Sequence, residues 1–409
     1  PDARSDAKGS EPEGIEYGLY GSQRFLFVGS ERSSFIAVYR IPAFGSPELV
    51  QVLPATLGPE GLLAIPSRNL FVASSEEDAR EDTFRAAITI YQLKASQPTY
   101  PTIVSANRSN GSPIPWGALS ALSGHPFDPN RAYAIYDSFY EATRIFTLDV
   151  SQKPAVIDGE IVLADRSGNA LNLDAEGIAA RTSGGFWIAS EGSGSCAAPG
   201  DCADVASRNL LLEVDAFGRV LRQIRLPAEV EGLQLSNGYE GVAVTGSGDS
   251  EVVYVAFQRE WLDDPSGMVR IGRYEVATGA WTFLYYPLDA PESPNGGWIG
   301  LSEIVAVNDS TLAVIERDNQ ANLDARVKKI YRFPVGGVNA QPQGGVFPVV
   351  NKTLVRDVLP DMAAGNGLII EKLEGLGILA NRNVLIVTDN DGTDDSSGET
   401  QLIDLGRIL

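Results

Sequence analysis

The chain has 409 residues, with 32 Lys and Arg against 53 Asp and Glu and a formal charge of −21. That balance argues against nucleic acid and against anionic membrane surfaces, both of which recruit basic clusters. It suits a protein that holds cations or stays soluble in salty surroundings. No run of about 18 apolar residues occurs, so membrane insertion by a helix is not expected.

The chain opens at Pro1 without a basic-then-apolar leader, which reads as a processed or trimmed N-terminus. A unit then recurs, with starts near residues 13, 60, 119, 176, 240, 303 and 374. Its best-kept letters are Glu13-Gly14, Glu60-Gly61, Glu176-Gly177, Glu240-Gly241 and Glu374-Gly375. Glu303 fits the series without its glycine, and the unit around Trp116–Ser120 lacks the glutamate. After each start comes a four-residue apolar run: 25–28, 70–73, 132–135, 186–189, 252–255, 312–315 and 384–387. Branched and aromatic residues dominate these runs, the pattern of strands buried on both faces.

A third run follows each time, at 35–41, 87–93, 144–150, 210–214, 268–276, 327–335 and 401–405. A weaker fourth leads onward, as at 48–53, 220–226 and 281–288. Four strands per unit and seven units predict an all-β fold, a seven-bladed β-propeller of four-stranded antiparallel blades forming one domain over 1–409. The chain stops after the third run of the seventh unit. Either residues before Glu13 supply the missing strand or that blade has three.

In a propeller the first strand of each blade lines the axial tunnel. Glu13, Glu60, Glu176, Glu240, Glu303 and Glu374 are therefore expected around one mouth. Crowded carboxylates must take up protons or cations, and an oxygen-only donor set with a single histidine selects Ca²⁺, with Mg²⁺ as the alternative. A repeated glutamate can equally tie down backbone N–H groups of the next blade. A second polar layer is expected at the ends of the second strands: 30–32, 75–78, 190–191, 258–260, 316–319 and 389–391. Arg32, Arg259 and Arg317 lie in it and suit a phosphate or carboxylate, unless they only neutralise neighbouring glutamates. Asp389 opens Asp-Asn-Asp-Gly-Thr-Asp (389–394), a plausible calcium segment whose spacing and context are not those of an EF-hand.

His125 reads as a packing or surface residue. Cys196 and Cys202, alone in the chain around a Pro-Gly turn, read as a local disulfide and hence as a periplasmic or extracellular location. No Gly-x-Ser-x-Gly nucleophile elbow occurs, and Ser193 and Ser195 lack a histidine partner.

Segments 174–178 with 185–191, 236–241, 301–303 with 315–318, and 372–375 with 388–391 resemble the phytase-like propeller domain, "esterase-like activity of phytase". Segments 2–14 and 28–32 are similar to exported bacterial propellers of alkaline-phosphatase-like type. The resemblance implies an exported, calcium-using propeller that hydrolyses a small-molecule phosphoester. In that reading Glu176, Glu240, Glu303, Arg259 and Arg317 are the catalytic set. Glu13, Glu60, Glu176, Glu240, Glu303, Glu374 and Asp389 are the metal ligands. The rival readings are a calcium-stabilised, non-catalytic binding propeller and a lactonase or carboxylesterase.

Overall fold

The computed structural model describes residues 9–78, 86–96, 98–365, 369–391 and 399–409. Residues 1–8, invoked above for closing the last blade, and the later part of the 389–394 segment lie outside the described residues.

Strands dominate, as the branched and aromatic runs require. Sheet one is β1 (Pro12–Tyr20), β2 (Gln23–Ser30), β3 (Phe35–Arg40) and β4 (Glu48–Pro54). Sheet two is β5 (Pro59–Ile65), β6 (Leu70–Ser75) and β7 (Ile88–Gln92). The next strand, β8 (Ile103–Ser105), joins sheet three: β9 (Leu119–Gly124), β10 (Arg131–Tyr136), β11 (Arg144–Asp149) and β12 (Ala155–Val162), with β8 parallel to β12. Sheet four is β13 (Ala175–Ala180), β14 (Phe186–Ser190), β15 (Leu210–Val214) and β16 (Val220–Arg225). Sheet five is β17 (Tyr239–Thr245), β18 (Val252–Phe257), β19 (Met268–Glu275) and β20 (Ala280–Pro287). Sheet six is β21 (Ile299–Asn308), β22 (Thr311–Asp318), β23 (Lys328–Pro334) and β24 (Thr353–Asp357). Sheet seven is β25 (Leu373–Ile378), β26 (Val384–Thr388) and β27 (Leu402–Gly406). Among the described residues no helix is long and apolar enough to cross a membrane.

The expected all-β class is therefore what the chain forms: seven consecutive blades, antiparallel apart from β8 on β12, with sheet two three-stranded and sheet three five-stranded where four strands were expected. All seven four-residue apolar runs lie in the second strand of their sheet. The last sheet has three described strands, one of the two outcomes left open by the sequence.

The path of closure was not legible. Inner strands β9, β13, β17, β21 and β25 pack each on the next, and β25 returns to β9, while β1 packs on β5. The apolar clusters follow the same path. Five fill the spaces between sheets three to seven and back to three, and a sixth, around Phe27 and Phe71, lies between sheets one and two. The link between sheets two and three runs along this path. Thr102 Oγ1 donates to Thr400 O at 3.1 Å and accepts from Leu402 N at 2.9 Å. Those bonds hold the start of β27, the last strand of sheet seven, beside the link that leads into sheet three.

The Glu-Gly signature has a geometric meaning. At the start of each inner strand the register with the second strand slips, a β-bulge that leaves one residue unpaired. The slip falls at Glu13, Glu60, Ser120, Glu176, Glu240-Gly241, Ser302 and Glu374. The glycine lets the next inner strand approach. A Cβ on Gly177 would stand 2.7 Å from Glu240 O, and one on Gly241 would stand 2.3 Å from Ile304 N. In sheet six the bulge residue is thus Ser302, not Glu303. Ser302 and Ser120 play one role, their hydroxyls donating at 2.6 Å to Leu373 O and Ala175 O of the adjoining sheet.

Candidate functional site at the acidic axial mouth

The bulges aim their glutamates at the mouth where the inner strands begin. Glu176, Glu240 and Glu374 meet there. The second strands of sheets three to seven end at this rim: Glu191 after β14, Gln258 and Arg259 after β18, Arg317 near the end of β22, and Asp389 and Asp391 after β26 belong to the polar layer expected from the sequence, and Asp137 after β10 joins them. Asp174, Lys372 and Trp298 complete the rim.

Hydrogen bonds fix the arrangement. Gln258 Nε2 donates to Glu240 Oε1 at 2.6 Å and is itself held by Asn237 at 2.6 Å. Gly238 N donates to Glu191 Oε1 at 2.6 Å. Arg317, 3 % exposed, donates to Glu374 at 2.5 Å and to Glu371 at 3.2 Å. Lys372 donates to Asp391 and lies 3.7 Å from Asp389. The Arg259 and Arg317 guanidinium carbons stand 5.2 and 5.4 Å from the Trp298 ring centre, and the Nε of each is buried without a hydrogen bond.

The crowding is visible in the titration of the acids. Burial, then the neighbouring Glu240, Asp174, Glu191 and Glu374, holds the Glu176 carboxyl well above the usual carboxylate range. Burial, then Glu374 and Glu191, does the same to Glu240. Burial pushes Glu191 up to about 8, Asp389 to about 7 and Asp137 to about 6. Asp137, Asp389 and Asp391 form a close acid group at this mouth, each offering an oxygen within 4.8 Å of the others. Buried Glu374 Oε2, which acts electrostatically on Asp389, has no hydrogen bond.

Several expected residues lie elsewhere. Glu13 and Glu60 are exposed and belong to sheets one and two, apart from this mouth. Glu13 groups instead with Glu11 and Glu31, and Arg32 pairs with Glu11. Glu303 is fully buried one residue past its bulge, where its Oε1 accepts from Ile304 N at 3.0 Å and the amides of Leu122 and Leu376 face it. That bond is of the kind the sequence allowed for a repeated glutamate tying backbone N–H groups, though its Oε2 has no hydrogen bond. His125 packs by stacking on Tyr133, and its Nδ1 accepts from the amides of Phe127 and Asp128. Cys196 and Cys202 are bonded to each other.

Asp137, Asp174, Lys372 and Trp298 were missed. Asp137 had a signal, since it follows the apolar run 132–135 at the place where other blades carry their rim acid. Asp174 and Lys372 each precede a bulge glutamate by two residues, a spacing that repeats in these two blades.

The family described as "Phytase-like: Esterase-like activity of phytase" matches residues 114–392, more than half of the chain. The chain belongs to this family. The phytase-like segment runs through all five ring-closing inner strands and contains every acid gathered at the mouth, but neither Glu13 nor Glu60. Residues 1–43 match the Choice-of-anchor I domain. Comparison with curated proteins finds no match.

Among solved structures the phytase-like chain is similar to hydrazine synthase of Kuenenia stuttgartiensis, at 11 % identity over 97 % of this chain and 96 % of that one, with a TM-score of 0.34. It is similar to a putative 6-phosphogluconolactonase from Bacteroides uniformis, at 13 % identity over 97 % and 95 %, with a TM-score of 0.30. The major Malassezia sympodialis allergen Mala s 1 matches at 10 % identity over 71 % of this chain and 92 % of that one, with a TM-score of 0.38. Likeness at this level carries no argument about chemistry.

Proposed function

We propose that the chain is an exported, calcium-dependent phosphoester hydrolase acting at the acidic axial mouth. One observation carries the reading: rim acids from sheets three, four, five and seven act on one another, and Arg317, which shares the Trp298 ring with Arg259, acts on Glu240 among them. Membership of the phytase-like family supports it, and the Cys196–Cys202 disulfide supports an oxidising compartment.

The close acid group offers only oxygens, and the buried, unbonded Glu374 Oε2 adds another in its neighbourhood. That donor set fits a hard divalent cation, Ca²⁺ or Mg²⁺. Asp137, Asp389 and Asp391 would hold it. When bound, such a cation polarises a phosphoryl oxygen and lowers the pKa of an attacking water.

The chain's own residues do the rest. Arg259, half-exposed and only 3.9 Å from a single partner, Glu260, takes the phosphoryl oxygens. Arg317, already tied to Glu374 and Glu371, supplies a fixed positive field behind them. Burial and neighbouring acids raise Glu191, to about 8, and Glu240, which favours their protonated forms and suits them to protonate the departing alcohol. Trp298 orients both arginines. The family description favours a second reading, opening of a carboxylic ester at the same mouth.

Phosphate release from phosphomonoesters, phosphodiesters and phytate, with carboxylic esters and lactones alongside, tests the proposal on calcium-loaded and chelated protein. Phosphoester turnover that chelation abolishes is expected, with Arg259→Ala lowering kcat/KM by about 10²-fold. Turnover of carboxylic esters or lactones alone would transfer the site to the second reading. Turnover of nothing, with calcium still raising the melting temperature, would leave a binding propeller.

A further inference from the structure

The axial channel has a second mouth, where the inner strands end, and its chemistry is the reverse of the first. A cavity of about 370 Å³ opens there, walled by β9, β13, β17, β21 and β25 together. That volume falls within the range of small-molecule sites, about 300–1,000 Å³. The Glu303 side chain is fully buried between the two mouths, its Oε1 accepting from Ile304 N and its Oε2 without a hydrogen bond, with the amides of Leu122 and Leu376 facing it. The wall is mostly Ala, Val, Ile and Gly.

The polar groups of this cavity are biased towards donors. None of the described lining residues is Asp or Glu, in a chain carrying 53 of them. Arg382 and His125 line it, with Ser123 and Thr182. His125 Nδ1 accepts two backbone amides at 3.2 and 3.0 Å, so the ring presents Nε2–H as a donor, and stacking on Tyr133 fixes its plane. Arg382 spends one N–H on Val307 O at 2.8 Å and keeps the others. It does so from a left-handed backbone, φ 72°, at a turn where Gly or Asn would be at ease.

We propose that this mouth binds a small organic carboxylate, its apolar body against the inner strands and its charge on Arg382 and His125. The site is separate from the acidic mouth and does not depend on the hydrolase reading.

Titration calorimetry with benzoate tests it, using benzyl alcohol as the uncharged counterpart. The protein panel is wild type, Arg382→Asn, Ala180→Leu and Asp389→Asn. Asparagine accepts the left-handed backbone, so Arg382→Asn is expected to fold. Melting curves check this, and a second loss of binding in the wall variant Ala180→Leu keeps the test sound. Benzoate is expected to bind wild type and Asp389→Asn alike, at least 10-fold more tightly than Arg382→Asn and more tightly than benzyl alcohol binds. Arg382→Asn is expected to leave hydrolysis at the other mouth unchanged. Absence of benzoate binding, equal binding by Arg382→Asn, or loss in Asp389→Asn alone would overturn the proposal.

Discussion

At the scale of single residues, the mouth is held together against its own charge. Glu176, Glu191 and Glu240 all have carboxyls raised by burial first and by neighbouring acids second. Gly238 N and Lys372 oppose the rise at Glu191 without cancelling it. A carboxyl raised in the folded state contributes stability that is fully present below its unfolded value, here 4.5, and is lost as pH rises through its folded value, about 8 for Glu191. Chelated protein should therefore melt highest near pH 5 and progressively lower towards pH 8, and calcium should lessen that fall by offsetting the repulsion. Melting curves across this range, with and without the ion, check the sign. A melting temperature that rises with pH in chelated protein would contradict it. Glu176, Glu240 and Glu374 were legible as repeated letters in the sequence. Trp298 was not, because it belongs to no repeat and matters only through the fold that brings Arg259 and Arg317 to its ring.

At the scale of elements, the β-bulge explains both the legible signature and its one misreading. The recurring Glu-Gly marks the point where an inner strand slips register and the next sheet crowds in. In sheets three and six serine takes the bulge and spans to the neighbouring carbonyl, so the nearby Glu303 looked like a member of the series while doing other work. Spacing along the chain could not separate the two, since only the pairing of Leu301 with Glu316 and of Glu303 with Ile315 reveals which residue is left over. Strands were readable because four consecutive branched or aromatic residues, as in Val252–Val255, have both faces buried between sheets. Gly177→Ala is the direct test of close approach. Its Cβ would meet backbone atoms of β17 at 2.7 Å, which cannot move as a flexible side chain would. Overpacking of that kind should cost about 1–3 kcal/mol in denaturant unfolding. An unchanged midpoint would show that the strands tolerate more space than the structure gives them.

At the scale of the whole molecule, seven repeats in sequence did not dictate which sheets touch. The contact path goes with a short irregular link, where Thr102 bonds to the start of β27, the last strand of sheet seven, and β8 extends sheet three. Neither feature has a periodic signature. The disulfide is a small contributor, because Cys196 and Cys202 are only 6 positions apart. Replacing both with serine should cost about 2 kcal/mol by loop-closure entropy, read from chemical denaturation, and should leave the mouth intact. The claim on which the function rests is that acids from separate blades share one divalent cation. Calcium titration of chelated protein by calorimetry tests it most directly, with Asp137→Asn from sheet three beside Asp389→Asn from sheet seven. Saturable binding by the wild type, weakened at least 10-fold in both variants, is the predicted result. No binding by the wild type, or equal binding by all three proteins, would contradict the account.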